Sequence, residues 1–334
     1  MVAECLGLEL ELNEEALERL KAYFSSTGRT MTKNNEKQAM APRGARVLQN
    51  DWGTAPGFVI EQGDHTAILL PGPPIELEPM WRDRVEPYLF ERSDSVIVSK
   101  NLYILGMGES AVEEKLRYMM EEYANPTVAP YAGNGECRVR VSARAKDAKT
   151  ASEMCDGLIE EIKKTEVGEF IYGIDVDSME KALVMKLMES GKTIACAESC
   201  TGGLIAKRIT DISGSSAVFL GGCVTYACSA KEKLVGVCHE TLEKYGAVSE
   251  QTALEMARGV RLALGADIGI STTGIAGPGG GTPEQPVGTV YIAVSTAEGE
   301  KVKLLQLSPK RSREFIRICA ATNAMSLALN FDKT

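Results

Sequence analysis

The stretch Thr193-Ile194-Ala195-Cys196-Ala197-Glu198-Ser199-Cys200-Thr201-Gly202-Gly203-Leu204-Ile205-Ala206-Lys207-Arg208-Ile209 constrains the fold most. A short apolar run, a turn of small polar residues and a second apolar-periodic run read as strand, tight turn and helix. Small residues at such a turn let a ligand approach the backbone. The first N–H groups of the following helix are expected to hold an anion or a developing oxyanion, with Ser199 at the mouth of that site.

The pattern continues around this unit. From Ser178 on, helix and strand alternate: helix 179–190, strand 192–197, helix 202–212, strand 218–226, helix 230–236, helix 249–264, strands 267–273, 287–297 and 300–307, and helix 311–329. Ser249 is a helix-start signal. The expected architecture is a three-layer α/β/α sandwich around a mixed sheet.

Two further regions precede it. Residues 1–30 read as helical, with Leu17, Leu20 and Phe24 on one face, followed by a polar segment over 32–46. Gly/Pro loops, strands at 58–60 and 66–70, the rigid turn Pro71-Gly72-Pro73-Pro74 and a helix from Ile75 then indicate an α/β layer over residues 1–95. Residues 96–174 read as a compact α+β module, with strands near 101–105, 127–131 and 138–143 and helices over 111–123 and 148–163. The link to the last domain, 175–334, is expected within Phe170 to Asp177.

The totals exclude several classes. At 334 residues, 44% hydrophobic and 25% charged, the chain is long enough for two or three cored domains. No apolar run reaches the ~18 residues of a membrane span, and Met1-Val2-Ala3-Glu4 opens no secretory or transit signal, so a cytoplasmic protein without membrane contact is expected. A net charge of -9 argues against sequence-independent nucleic-acid binding by the whole chain. Nine cysteines without a Cys-x-x-Cys pair fit reduced, mostly buried thiols. The loose pairs Cys196/Cys200 and Cys223/Cys228 are read that way rather than as a zinc site. The two histidines, His65 and His239, lie in polar segments and read as solvated loop residues. No Gly-x-Ser-x-Gly elbow is present, so a Ser-His-Asp triad is not expected.

A histidine-independent site can be assembled instead. Lys231 opens a short helix that Ser229 is expected to cap, facing the positive end of the helix dipole, where a buried amine binds its proton less tightly. That suits a neutral general base, and the expected arrangement is Ser199 as nucleophile, Lys231 as base and then proton donor to the leaving group, and Tyr226 relaying or orienting the proton. An exposed lysine and a packed tyrosine would give the same spacing. The loop Ser271 to Gly281 follows a strand and fits a phosphate or flat polar ligand as well as it fits a plain flexible loop. Arg313 and Arg317 share a helix face, with Arg311 beside them, and suit phosphate contact or a solvated helix start.

These motifs carry a resemblance. Ala-Glu-Ser-Cys-Thr-Gly-Gly at 197–203, Gly214-Ser215-Ser216, Val224-Thr225-Tyr226, Ala230-Lys231, Gly246-Ala247-Val248-Ser249 and Gly274-Ile275-Ala276-Gly277-Pro278, in that order, closely resemble the C-terminal nicotinamide-nucleotide amidase domain of the CinA family. The resemblance implies hydrolysis of nicotinamide mononucleotide to nicotinate mononucleotide and ammonia, with Ser199, Lys231 and Tyr226 as catalytic residues. It implies that Thr201, Gly202, Gly203, Thr273, Gly274, Ile275, Ala276, Gly277 and Arg313 line the substrate pocket, and it calls for no cofactor. Two positions depart from the family pattern: Ala227-Cys228 stands where Ser-Asn is common, and Arg311-Ser312 precedes Arg313 in place of Gly-Asp. Both leave the exact substrate open.

The earlier regions resemble the rest of that family: a molybdopterin-binding-like first domain (Lys37-Gln38-Ala39, Gly53-Thr54-Ala55-Pro56-Gly57, Leu70-Pro71-Gly72-Pro73-Pro74) and a KH-like middle module lacking an evident Gly-x-x-Gly clamp. The family's first domain has a strand-rich half that would precede Met1, so a partner chain completing the sheet is one expectation and a shortened domain the other. A homodimer is expected. The competing readings are a nucleotide pyrophosphatase in the first domain, the case in which divalent metal or potassium would enter, and a non-catalytic, competence-associated nucleotide-binding protein.

Overall fold

The computed structural model describes residues 1–28, 30–133 and 135–331. Arg29, within the stretch read as helical, and the last residues of the final domain lie outside them. The chain forms two units, Met1–Val96 and Ile97–Thr334.

In the first unit, the stretch read as one helix is divided. Val2–Cys5 is helical, Leu10–Leu12 is a strand paired antiparallel with Met40–Pro42, and the main helix runs Glu14–Ser26 with the Asn13 side chain accepting from the Ala16 N–H. The alternation Leu8, Leu10, Leu12 is the strand signal, and it runs directly into the helical pattern. Arg46–Leu48, Gly57–Gln62 and His65–Leu69 form a three-stranded antiparallel sheet over a small core of Leu48, Val59, Met80, Val85 and Tyr88.

The middle module folds as a four-stranded sheet ordered Thr127–Ala132, Cys137–Ala145, Val96–Ile104, Ile171–Ile174, with helices Glu109–Glu122 and Ala148–Lys163 covering one face. The alternation Cys137, Val139, Val141, Ala143 faces the helices, and Arg138, Arg140 and Arg144 face outward. Ile171–Ile174 is a strand of this sheet, not linker, and pairs antiparallel with Leu102–Ile104. The connection shrinks to Asp175-Val176-Asp177, where both aspartates adopt positive φ, a conformation aspartate tolerates. Leu105, Tyr172 and Val176 pack against the core of the last domain, so the two regions share packing.

The last domain is a three-layer α/β/α sandwich. We label its elements α1 (Met179–Ser190), β1 (Ile194–Glu198), α2 (Leu204–Thr210), β2 (Phe219–Val224), α3 (Cys228–Val235), α4 (His239–Tyr245), α5 (Glu250–Leu264), β3 (Ile268–Gly274), β4 (Thr289–Ser295), β5 (Glu300–Gln306) and α6 (Arg313–Leu329). The strand order is β2-β1-β3-β4-β5, with β2, β1 and β3 parallel and the last two antiparallel. Strand alternation sends Ile194 and Cys196 toward α1, α2 and α6, where Leu183, Ile205, Ile316 and Met325 meet them. It sends Ala195 and Ala197 toward α3 and α5, against Val235, Met256 and Val260. The central strand is thus buried on both faces, which places any polar end residue in a closed setting. The helix α4 had no counterpart in the sequence reading, and His239, expected in a loop, is exposed in its first turn beside Glu232 and Glu243.

Candidate active site

Parallel strands β1 and β2 end together, and their ladders continue one residue further. The Ser199 N–H donates to the Thr272 carbonyl (2.9 Å) and the Thr225 N–H to the Glu198 carbonyl (2.8 Å). Ser199 and Thr225 therefore sit at the carboxyl end of the sheet, where ligands of open α/β folds bind. After Ser199 the chain turns through Gly202 and Gly203, and Gly203 holds φ of +91°, a region a Cβ disfavours.

The first two side chains of the site meet. Lys231 Nζ lies 3.1 Å from Ser199 Oγ, 2.7 Å from the Thr225 carbonyl oxygen and 3.5 Å from the Tyr226 carbonyl oxygen. Lys231 is 1% exposed and Ser199 8%. No carboxylate forms a salt bridge with Lys231 among the described residues. Burial pushes its amine below the ordinary lysine range, because the charged form loses hydration that no counter-ion replaces. A neutral amine has two hydrogens and one lone pair. As an ammonium, Nζ donates to Ser199 Oγ and to the carbonyls; once neutral, with its two hydrogens on the carbonyls, its lone pair faces the Ser199 hydroxyl.

The helix that delivers Lys231 begins earlier than expected. Ala227 occupies the cap position and Ser229 lies inside α3. Lys231 remains near the helix start, within reach of the positive end of the dipole.

Tyr226 is placed differently from expectation. Only its backbone carbonyl approaches Lys231, and the residue is 63% exposed. Its hydroxyl accepts from Arg313 Nη2 at 3.3 Å, which points the phenol away from a relay between Ser199 and Lys231. Arg313 also donates to the Gly277 carbonyl (2.7 Å), and Arg317, four residues on, donates to the Thr201 carbonyl (2.6 Å). The start of α6 thus pins both the serine turn and the glycine loop.

Several expected pocket residues are engaged elsewhere. The Thr273 hydroxyl donates to the Ala247 carbonyl and is buried. Gly274 is glycine for packing: a Cβ there would lie 2.6 Å from the Thr289 carbonyl oxygen and 2.7 Å from the Val290 Cα. Ile275 holds the loop by exchanging backbone hydrogen bonds with Thr289 and Gly288, and Ala276 is buried in the core. Thr201 is fully buried, its hydroxyl 2.7 Å from that of Thr272. Cys200 is buried and its thiol pushed up to about 11, so it stays a thiol at neutral pH.

The helix-start amides are not vacant either. Glu198, 1% exposed, accepts from the N–H groups of Gly203 (3.0 Å), Ile205 (3.0 Å) and Ala206 (2.9 Å). The sequence reading left Glu198 without a role, although a charged residue ending an otherwise apolar strand just before a helix is a visible signal. With those amides occupied, the N–H groups of Cys200 and Thr201 are the ones beside Ser199 that bond no other residue among those described.

Comparison with known proteins adds the following. The family described as "CinA C-terminal domain" matches residues 176–331, and the one described as "Damage-inducible protein CinA KH domain" matches residues 99–173. A "CinA-like protein" of Dictyoglomus turgidum is 45% identical over 325 residues, 97% of this chain and 78% of that protein. A "Putative competence-damage inducible protein" of Thermoanaerobacter sp. is 47% identical over 330 residues, 99% of this chain and 79% of that one. Among solved structures, the competence/damage inducible protein CihA from Agrobacterium tumefaciens is 41% identical, covering 46% of this chain and 93% of its own, with a TM-score of 0.44.

Proposed function

The chain belongs to the CinA family, and from that premise we propose that its last domain is a serine-lysine amidase that hydrolyses nicotinamide mononucleotide to nicotinate mononucleotide and ammonia. The observation that carries this reading is the buried Lys231 amine, without a salt bridge among the described residues and 3.1 Å from Ser199 Oγ.

Neutral Lys231 takes the Ser199 proton as Oγ attacks the carboxamide carbon. The resulting oxyanion is held by the Cys200 and Thr201 amides, in a site shielded from water where such donors count for more. Lys231, now an ammonium, passes its proton to the amide nitrogen, the C–N bond breaks and ammonia leaves. Water then attacks the Ser199 ester, giving its proton to Lys231, which returns it to Oγ as the C–O bond breaks and nicotinate mononucleotide departs. Tyr226 is assigned no proton transfer here. With Arg313 it borders the pocket, and the arginine supplies charge for the substrate phosphate.

The test is ammonia release from nicotinamide mononucleotide by the full chain. Release by the wild type that disappears in both Ser199→Ala and Lys231→Met supports the reading. Release surviving either change counts against it.

A further inference from the structure

We infer that Glu198 is the positioning residue of the serine site, holding the 199–203 turn so that Ser199 and the Cys200 and Thr201 amides face one reacting centre. This rests on the serine-lysine reading above.

The argument starts from cost. A carboxylate buried to 1% exposure is unfavourable unless its oxygens are fully hydrogen-bonded. Glu198 forms no salt bridge among the described residues. Its Oε2 accepts from the Gly203 and Ile205 amides and its Oε1 from the Ala206 amide and the Cys196 thiol (3.5 Å). These amides open α2, where the helix dipole also favours negative charge. The free amides at the turn into α2 are therefore taken by the protein's own side chain.

The consequence falls on the turn. The Glu198 carbonyl is tied to the Thr225 N–H and the Ser199 N–H to the Thr272 carbonyl, so the turn is anchored at its start. The Glu198 carboxylate reaches across and anchors its end at residues 203 to 206. Between these anchors lie Ser199 and the Cys200 and Thr201 amides, which bond no other residue among those described. Glu198 makes no hydrogen bond to Ser199 Oγ or Lys231 Nζ, so it acts through the backbone and exchanges no proton with the reacting groups.

The experiment uses the full chain with Glu198→Gln, which keeps the shape but turns an NH2 toward a backbone N–H. Two readouts are taken: ammonia release from nicotinamide mononucleotide, and the rate at which a fluorophosphonate probe labels Ser199, which does not depend on the substrate assignment. We expect kcat and the labelling rate to fall together by about 100-fold, the loss typical of a misplaced oxyanion donor. KM should stay within about threefold and the pH limb set by Lys231 should not move. Glu198→Asp, which keeps the charge but is shorter, should give a smaller fall in the same readouts, and it carries the test if the glutamine variant does not fold. A folded variant that labels at the wild-type rate and loses only thermal stability overturns the inference, as does a shifted pH limb. Wild-type labelling without ammonia release means that only the substrate is wrong, and the labelling ratio then decides. A wild type whose Ser199 does not label removes the serine reading and this inference with it.

Discussion

Lys231 Nζ stands 3.1 Å from Ser199 Oγ, at the carboxyl end of a sheet whose central strand is buried on both faces. The lysine is held there by two backbone carbonyls, and burial with no carboxylate salt-bridged to it among the described residues weakens its hold on a proton. The chemistry proposed for the chain uses the neutral form, toward which burial shifts the amine.

The first prediction is a pH dependence of activity. Protonated Lys231 cannot accept the Ser199 proton, so kcat/KM should rise with pH and level off once the amine is neutral. Burial places that limb below the ordinary lysine value of about 10.4. A pH–rate profile on the wild type reads it directly.

Stability should carry the same signature. The folded-state affinity of Lys231 for its proton is reduced relative to the unfolded chain, so the folded state binds fewer protons and stability rises with pH across that window. Lys231→Met removes the dependence. Its melting temperature relative to wild type should be highest on the acid side of the window and should decline as pH rises, levelling off above about 10.4, where both wild-type states are neutral. Scanning calorimetry over several pH values provides the comparison, and a pH-independent difference would count against a buried, weakly basic amine.

Arg313 should govern binding more than turnover. It reaches the Gly277 carbonyl and the Tyr226 hydroxyl and makes no hydrogen bond to Ser199 or Lys231. Replacing it by alanine should raise KM for nicotinamide mononucleotide by about 10- to 100-fold, the range of a lost charged hydrogen bond. With nicotinamide riboside, which lacks the phosphate, the wild type and Arg313→Ala should have similar KM values.

Gly274 separates packing from binding. The Gly274→Ala methyl would press into the Thr289 and Val290 backbone, so stability should fall by about 1–3 kcal/mol, as overpacking does. Denaturant unfolding measures the loss, while KM of the folded enzyme should stay near wild type.

Much of the Ser199–Lys231 pair was legible in the sequence because strand, turn and helix are local patterns, and each residue sits at a readable element end. The sandwich followed from the same alternation of elements. What escaped depended on contacts made across the fold. Glu198 is visible as a charged strand end, but which amides its carboxylate takes shows only once the turn brings residues 203, 205 and 206 back to it. Tyr226 has the right place in the chain, but its strand-end geometry turns the hydroxyl to Arg313. Thr273 looks like a free ligand group, yet its hydroxyl is taken by Ala247, a residue 26 positions away. Ile171–Ile174 and α4 were missed for a simpler reason: short segments carry too little periodicity to distinguish them from loops.

The most direct measurement is ammonia release from nicotinamide mononucleotide by the full chain at pH 8, with Ser199→Ala and Lys231→Met assayed in parallel and their folding verified. The account predicts steady release by the wild type and a fall of at least about 1,000-fold in each variant, as for residues that act as one catalytic unit. Undiminished release by folded Lys231→Met would contradict it.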